Sequence, residues 1–255
     1  YFKMLLDKKI AFITGAGSGI GQASAKIMAE SGAKVIASDC NFSSVKTTAK
    51  IINSNGGKCF PMKVDVKKER DIKKAIKYIN KKYGRLDILH SHAGLQVEGR
   101  IEDVSIEKFD NSWKLNVRSH FIFIKNTIPL MKKNGNGSII ITSSNSGVLI
   151  DKEMIAYATT KHASVALVKQ IAVDYAKDNI RINALCPGWV DTPFNDPFTK
   201  QMGGRKALLK YISNSIPMKR FANTNEIAQG ILFLASSQSS FMTGQAFTID
   251  GGESL

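Results

Sequence analysis

Cysteine is scarce. The 255 residues hold three, Cys40, Cys59 and Cys186, and none belongs to a C-x-x-C pair. A disulfide scaffold is thereby excluded. Histidine is almost as rare: His90, His92, His120 and His162 show no ligand spacing joined to cysteine or carboxylate pairs, so no metal is expected. No run approaches the ~18 apolar residues that span a bilayer. The first nine residues are too short for a secretory leader and are broken by Asp7. A reduced, soluble, cytoplasmic protein is the expectation, with the status of Tyr1-Phe2-Lys3 left open. Internal repeats and low-complexity linkers are also missing.

Arginine is the other shortage. Seven Arg stand against 29 Lys in a formal net charge of +15. A nucleic-acid surface gathers basic residues on one face, with arginine or aromatics among them. Here the lysines are scattered, as in Lys67-Lys68, Lys73-Lys74, Lys81-Lys82 and Lys132-Lys133, at polar positions of helix-like segments. The charge reads as a lysine-biased composition, and no nucleic acid partner is expected.

What the chain does contain is alternation. Short apolar runs at 9–14, 34–39, 58–65, 86–91, 137–143, 181–186 and 245–250 read as strands. Segments of helical period lie between them, at 20–31, 43–55, 69–82, 106–133, 155–177 and 224–235. Continuously apolar strands imply a sheet covered on both faces. Strand–helix alternation implies right-handed crossovers and an α/β, doubly wound, mostly parallel sheet. The whole chain, 1–255, reads as one domain. Ligands in such sheets bind beyond the carboxyl ends of the strands. Residues 193–217 break the alternation and read as an irregular lid or substrate loop.

The first strand runs into Thr14-Gly15-Ala16-Gly17-Ser18-Gly19-Ile20-Gly21, where a helix begins. Glycines permit a tight turn and close backbone approach. The helix start offers free N–H groups and a positive dipole end, which suits a pyrophosphate. Asp39 ends the second strand. In a dinucleotide fold a carboxylate there accepts hydrogen bonds from the adenosine ribose and repels a 2′-phosphate. Its neighbours Ser18, Cys40 and Asn41 are neutral, so NAD is expected over NADP.

Tyr157 and Lys161 are four apart on a helical segment and share one face. A free phenol has a pKa near 10 and is a poor base at neutral pH. Lowering it by ~3 units takes about 4 kcal/mol, the order of one ammonium at ~4 Å in a partly shielded site. The expectation is that Lys161, with the positive nicotinamide ring of NAD adding to it, makes Tyr157 a general acid/base. Ser144 follows the strand at 137–143 and reaches the same end of the sheet, with Ser143 as its competitor by adjacency. Asn116 lies in an apolar part of the helix at 106–133, where a buried amide linking water to Lys161 fits better than a surface residue.

With these motifs in register, the chain resembles the single-domain short-chain dehydrogenases/reductases from Lys8 to Gly252. The matching positions are Thr14 to Gly21, Asp39, Asp65, Ala93-Gly94, Asn116, Ser144, Tyr157-x-x-x-Lys161, Asn183, Pro187-Gly188 and Thr192. The resemblance implies a seven-stranded Rossmann-type sheet, a nicotinamide cofactor and a Ser144-Tyr157-Lys161 centre supported by Asn116. Gly15, Ser18, Gly19, Ile20, Gly21, Val66, Ala93, Gly94, Pro187 and Gly188 would line the cofactor. Asp65 would meet the adenine amino group, and Val190 and Thr192 the carboxamide. Lys161 would hold ribose hydroxyls, and Ser144 would bond the substrate oxygen. Relatives usually pair through the segments at 106–133 and 155–177, so a homo-oligomer, dimer or tetramer, is implied.

One stretch departs from that pattern. Ser91-His92 stands where the family usually has two Asn before Ala-Gly. Ser91 is a candidate to replace the missing strand-tying amide. His92 is either a locally satisfied histidine or a cofactor contact. Trp189 is either core packing or a wall of the substrate pocket. That pocket is expected between 95–98, 145–150, Trp189 and 194–211, the last mixing Phe194, Phe198, Met202, Leu208 and Leu209 with Lys200, Arg205, Lys206 and Lys210. The mixture fits a hydrophobic or carboxylated alcohol, and equally an amphipathic helix shielding its site. The leading reading is an NAD(H)-dependent oxidoreductase interconverting a secondary alcohol and a ketone. Its alternatives are a 3-oxoacyl carrier-protein-type reductase, which usually has a basic residue near position 18 or 40, and a non-catalytic NAD-binding sensor.

Overall fold

A computed structural model describes residues 4–255; Tyr1-Phe2-Lys3, whose status the sequence leaves open, lie outside the described residues. The apolar runs form β1 (Ile10–Thr14), β2 (Lys34–Asp39), β3 (Lys58–Lys63), β4 (Ile88–Ser91), β5 (Gly137–Thr142), β6 (Ile180–Pro187) and β7 (Ala246–Ile249). They make one sheet in the order β3-β2-β1-β4-β5-β6-β7. Every pairing is parallel. The chain steps outward from β1 in both directions, so the strand order reverses between β1 and β4. A crevice opens there beyond the carboxyl ends.

Residues of β1 alternate between two cores, as the two-residue period of a strand requires. Ala11 and Ile13 pack with Ala25 and Met28 of α1 (Gly19–Glu30), Val45 and Ile52 of α2 (Phe42–Ser54) and Ile227 and Ile231 of a late helix. Phe12 turns to the other face. There it meets Ile72 and Ile79 of α3 (Glu69–Tyr83), Phe123 and Val168. With helices on both faces, the inner strands have no solvated side, hence their unbroken apolar runs.

Two expectations are corrected. The segment at 106–133 is not one regular helix: α4 (Ile106–Trp113) passes into a π-helical turn, Lys114–Arg118, and then into α5 (Ser119–Asn134). Such a turn holds one extra residue per turn and often marks a functional site; this one carries Asn116. Nor is 193–217 irregular. After α6 (Ile155–Tyr175) and β6 it folds into a short turn, Pro193–Asn195, then α7 (Asp196–Gln201) and α8 (Arg205–Ser215). Leu208, Ile212 and Ile216 form a small core of their own against Trp189 and Phe198. The glycines at 203 and 204 separate the two helices, with φ of 89° and 105°. The last helix, α9 (Thr224–Ala235), starts from a capping box between Asn223 and Glu226.

Asp87 fixes the entry to the sheet. Its carboxylate is 2% exposed. It accepts the Ile10 amide at 2.9 Å and the Arg85 Nε at 3.0 Å, while its own amide donates to the Ile10 carbonyl at 3.0 Å. Replacing it strands a buried donor, a loss of ~2 kcal/mol. Asp87→Ala should therefore melt about 4–8 °C lower by scanning calorimetry; an unchanged melting temperature would show that this tie contributes nothing.

Candidate active site

A cavity of about 760 Å³ opens at the carboxyl ends of the strands. Its first wall is the glycine loop: Gly15, Ser18, Gly19 and Ile20. Gly15 has φ +66°, and a methyl group on it would lie 3.1 Å from the Ala93 backbone. α1 begins at Gly19, so its free N–H groups face this wall. Gly21, expected on the cofactor, is instead behind the loop and off the cavity wall. A Cβ there would come within 2.1 Å of the Gly15 carbonyl oxygen, so Gly21 lets α1 close onto β1.

Asp39 ends β2 on the same cavity. Its carboxylate accepts the Gly17 amide at 3.1 Å and the Asn41 amide at 2.9 Å, which locks it across the loop. Asp65 and Val66 continue the wall. Asp65 accepts the Lys67 amide at 3.1 Å and lies 3.5 Å from the Lys68 ammonium. Ala93 and Gly94 after β4, Pro187 at the end of β6, and Gly188, Val190 and Thr192 after it complete the lining. These residues leave a cradle of backbone and small side chains beside a helix start, which fits a dinucleotide.

Tyr157, Lys161 and Ser144 meet on this cavity. Tyr157 and Lys161 are 7% and 3% exposed. Burial pushes the Tyr157 phenol up to about 12, against the Ser144 hydrogen bond, which pulls it down. Asp151 and Glu98 add to the rise. In the protein alone, burial outweighs the lowering expected of Lys161; the charge of the nicotinamide is the other part of that expectation. Burial draws Lys161 itself down to about 8. Its Nζ is 5.3 Å from the centre of the Tyr157 ring and donates to the Thr142 carbonyl at 3.1 Å. Desolvation outweighs one ammonium held to the side and aimed elsewhere. Ser143 is separated from Ser144 by its partner: its hydroxyl donates to the Lys161 carbonyl at 2.9 Å, a structural tie along α6.

Asn116 is fully buried but does not line the cavity. Its Oδ1 accepts the Leu95 amide, and its Nδ2 donates to the Leu95 carbonyl, each at 2.9 Å, and to Thr160 Oγ1 at 3.0 Å. It thus clamps the segment after Gly94 to α6. A methyl group on Gly94 would be 3.3 Å from Asn116 Oδ1 and 3.5 Å from Lys161 Nζ, so Gly94 keeps the space between those two atoms open.

The Ser91-His92 departure is compensated locally. Thr14 Oγ1 accepts the amides of His92 and Ala93 at 2.9 and 3.0 Å, tying β1 to the loop. His92 Nδ1 lies 3.1 Å from Thr142 Oγ1, tying β4 to β5. Ser91 does not take that role: its hydroxyl pairs with His120 Nδ1 at 2.7 Å. His92 is thus locally satisfied, and it also lines the cavity. Burial lowers His92 to about 4 and His120 to about 3, so both rings are neutral near pH 7. Among the described residues no cluster of three metal-ligating side chains exists.

Trp189 likewise combines its two readings. It lines the cavity and packs against Phe198, ring centres 4.9 Å apart. Phe194 comes within 6.4 Å of the Tyr157 ring centre. Lys200, Arg205, Lys206 and Lys210 are exposed and off the cavity wall, as on a shielding amphipathic helix. The residue that sequence reasoning missed is Glu253. It lines the cavity, accepts Trp189 Nε1 at 3.1 Å and Asn145 Nδ2 at 2.8 Å, and lies past the last strand. No motif flags it; its contacts span 64 and 108 residues.

Among the described residues no helix is long and apolar enough to cross a membrane. A family model described as enoyl-(acyl carrier protein) reductase matches residues 15–254. An uncharacterized oxidoreductase of Thermotoga maritima is 39% identical over 249 residues, 98% of either chain. A 3-ketoacyl-(acyl-carrier-protein) reductase from Brucella melitensis, complexed with NADH, superposes with a TM-score of 0.88 at 32% identity, over 98% of this chain and 100% of that one. A putative NAD(P)-dependent gluconate 5-dehydrogenase from Beutenbergia cavernae, with bound NADP, gives a TM-score of 0.92 at 28% identity, over 98% of both chains. Fold, motifs and relatives agree: the chain belongs to the short-chain dehydrogenase/reductase family of oxidoreductases.

Proposed function

We propose that the chain is an NAD(H)-dependent oxidoreductase interconverting a secondary alcohol and a ketone. The observation that carries this reading is the meeting of Tyr157, Lys161 and Ser144 on the cavity bounded by the glycine loop. A nicotinamide ring, when bound, supplies hydride transfer and, when oxidised, a positive charge. The chain's own residues handle the proton. Ser144 holds the substrate oxygen. As the alcohol carbon gives up its hydride, the Tyr157 oxygen takes the hydroxyl proton; in the reverse direction the phenol donates it. Lys161 holds ribose hydroxyls, and Asn116 links a water to Lys161 across the space that Gly94 keeps open.

Asp39 supports NAD over NADP. Its carboxylate is pinned at the end of β2, and a 2′-phosphate ~4 Å away would meet up to ~4 kcal/mol of repulsion per charge pair at an effective dielectric of ~20. The 3-oxoacyl carrier-protein-type reductase is the second reading, favoured by the Brucella melitensis relative. Both readings share the proton chemistry. A homo-oligomer joined through α4–α5 and α6 is part of the proposal. Ile106 and Val173 there are each 79% exposed and Phe121 is 50% exposed, apolar surface that pairing would cover.

Tyr157→Phe should lower turnover of alcohols at least about a thousandfold while NADH still binds, read by nicotinamide fluorescence. Turnover persisting in that variant would refute the mechanism. The wild type should favour NAD over NADP at least about tenfold in kcat/KM, and an NADP preference would refute the role of Asp39. In sedimentation velocity the chain should run as a dimer or tetramer; a monomer would refute the pairing.

A further inference from the structure

We propose that Glu253 is a specificity-determining residue that accepts a hydrogen bond from a second hydroxyl of the substrate, so that the preferred alcohol is a diol or longer polyol. The proposal rests on the oxidoreductase reading above and adds its substrate class.

The carboxylate has acceptor sites to spare. An ionised carboxylate offers about four lone-pair sites and no donor. Two are taken, Oε1 by the Trp189 indole at 3.1 Å and Oε2 by the Asn145 amide at 2.8 Å. Both partners are neutral, and among the described residues Glu253 has no ion pair. The side chain is half-buried and lines the cavity, so its free lone pairs select a hydrogen-bond donor that enters there.

Its placement ties it to the reacting centre. Asn145 Nδ2 donates to Glu253, and Asn145 Oδ1 accepts from the Ser144 hydroxyl at 3.2 Å. Glu253 is therefore two hydrogen bonds from the hydroxyl assigned to the substrate oxygen. A donor reaching both must carry its second hydroxyl within a few carbons of the first. Trp189, Phe194, Phe198 and Tyr211 line the same part of the cavity and offer apolar surface to the C–H groups between.

The charges around it argue against an anionic class. Asp151 lines the cavity as well, and it and Asp250 add negative charge near Glu253. An anionic group at this end meets like charge. A neutral hydroxyl avoids that repulsion and donates to the carboxylate.

The test compares 2,3-butanediol with 2-butanol, using NAD as acceptor. The wild type should favour the diol at least about tenfold in kcat/KM, mostly through KM, because a site built around a polar group discriminates against a substrate lacking it. Glu253→Gln keeps the shape and removes the charge; it should cut that ratio at least about fivefold, and Glu253→Ala should abolish it. Melting curves and NADH fluorescence check that the variants fold and bind cofactor. A wild-type ratio below about threefold overturns the proposal without any variant. So does an unchanged ratio in Glu253→Gln, or a preference for 3-amino-2-butanol or 3-hydroxybutyrate over the diol. Turnover of both alcohols without preference overturns this proposal alone; no turnover of either overturns the secondary-alcohol reading with it.

Discussion

The site depends on a contest between burial and charge at Tyr157. A phenol placed at the end of a dry sheet is harder to ionise than one in water, and here burial holds it at about 12. Lys161 is buried beside it, and burial draws its ammonium down to about 8. Near pH 7 both groups are therefore protonated, the phenol neutral and the ammonium charged. The oxidised nicotinamide is a further positive charge. In the reading proposed above, proton release from Tyr157 follows binding of the oxidised cofactor.

Everything else in the fold serves to hold that cavity in place. The reversal of strand order between β1 and β4 opens the crevice. Gly21 lets α1 press onto the first loop, and Asp39 is locked across it by the Gly17 and Asn41 amides. The π-helical turn at Lys114–Arg118 brings Asn116 inward, where it clamps the chain after Gly94 to α6. Glu253 closes the far side by joining Trp189 to Asn145. These ties run between segments distant in the chain, so the site exists only when the sheet is complete.

Much of this was legible in the sequence, for physical reasons. Short continuous apolar runs and the segments of helical period between them report burial directly, so the seven strands and the principal helices lie within a few residues of the bounds read from the sequence. The glycine loop, Asp39, Ser144 and the Tyr157–Lys161 pair could be placed at one cavity from motif spacing and the family resemblance. Other features were not. The π-turn changes hydrogen bonding without changing hydrophobic period, so 106–133 looked like one helix. The lid looked irregular because α7 and α8 are short and separated by two glycines. The rise of the Tyr157 phenol in the protein alone is not legible, because sequence spacing reveals a neighbouring ammonium but not how deeply both groups are buried. Glu253 was invisible because its partners, Trp189 and Asn145, are far away in the chain.

The most direct test is the ionisation of Tyr157 itself, followed by carbon-13 NMR of labelled tyrosine, with Tyr157→Phe assigning the signal. Without cofactor the phenol should titrate at about 12. With saturating NAD it should fall below the ordinary value of about 10. A phenol that stays near 12 in the complex, or is already below 10 in the protein alone, would contradict the account.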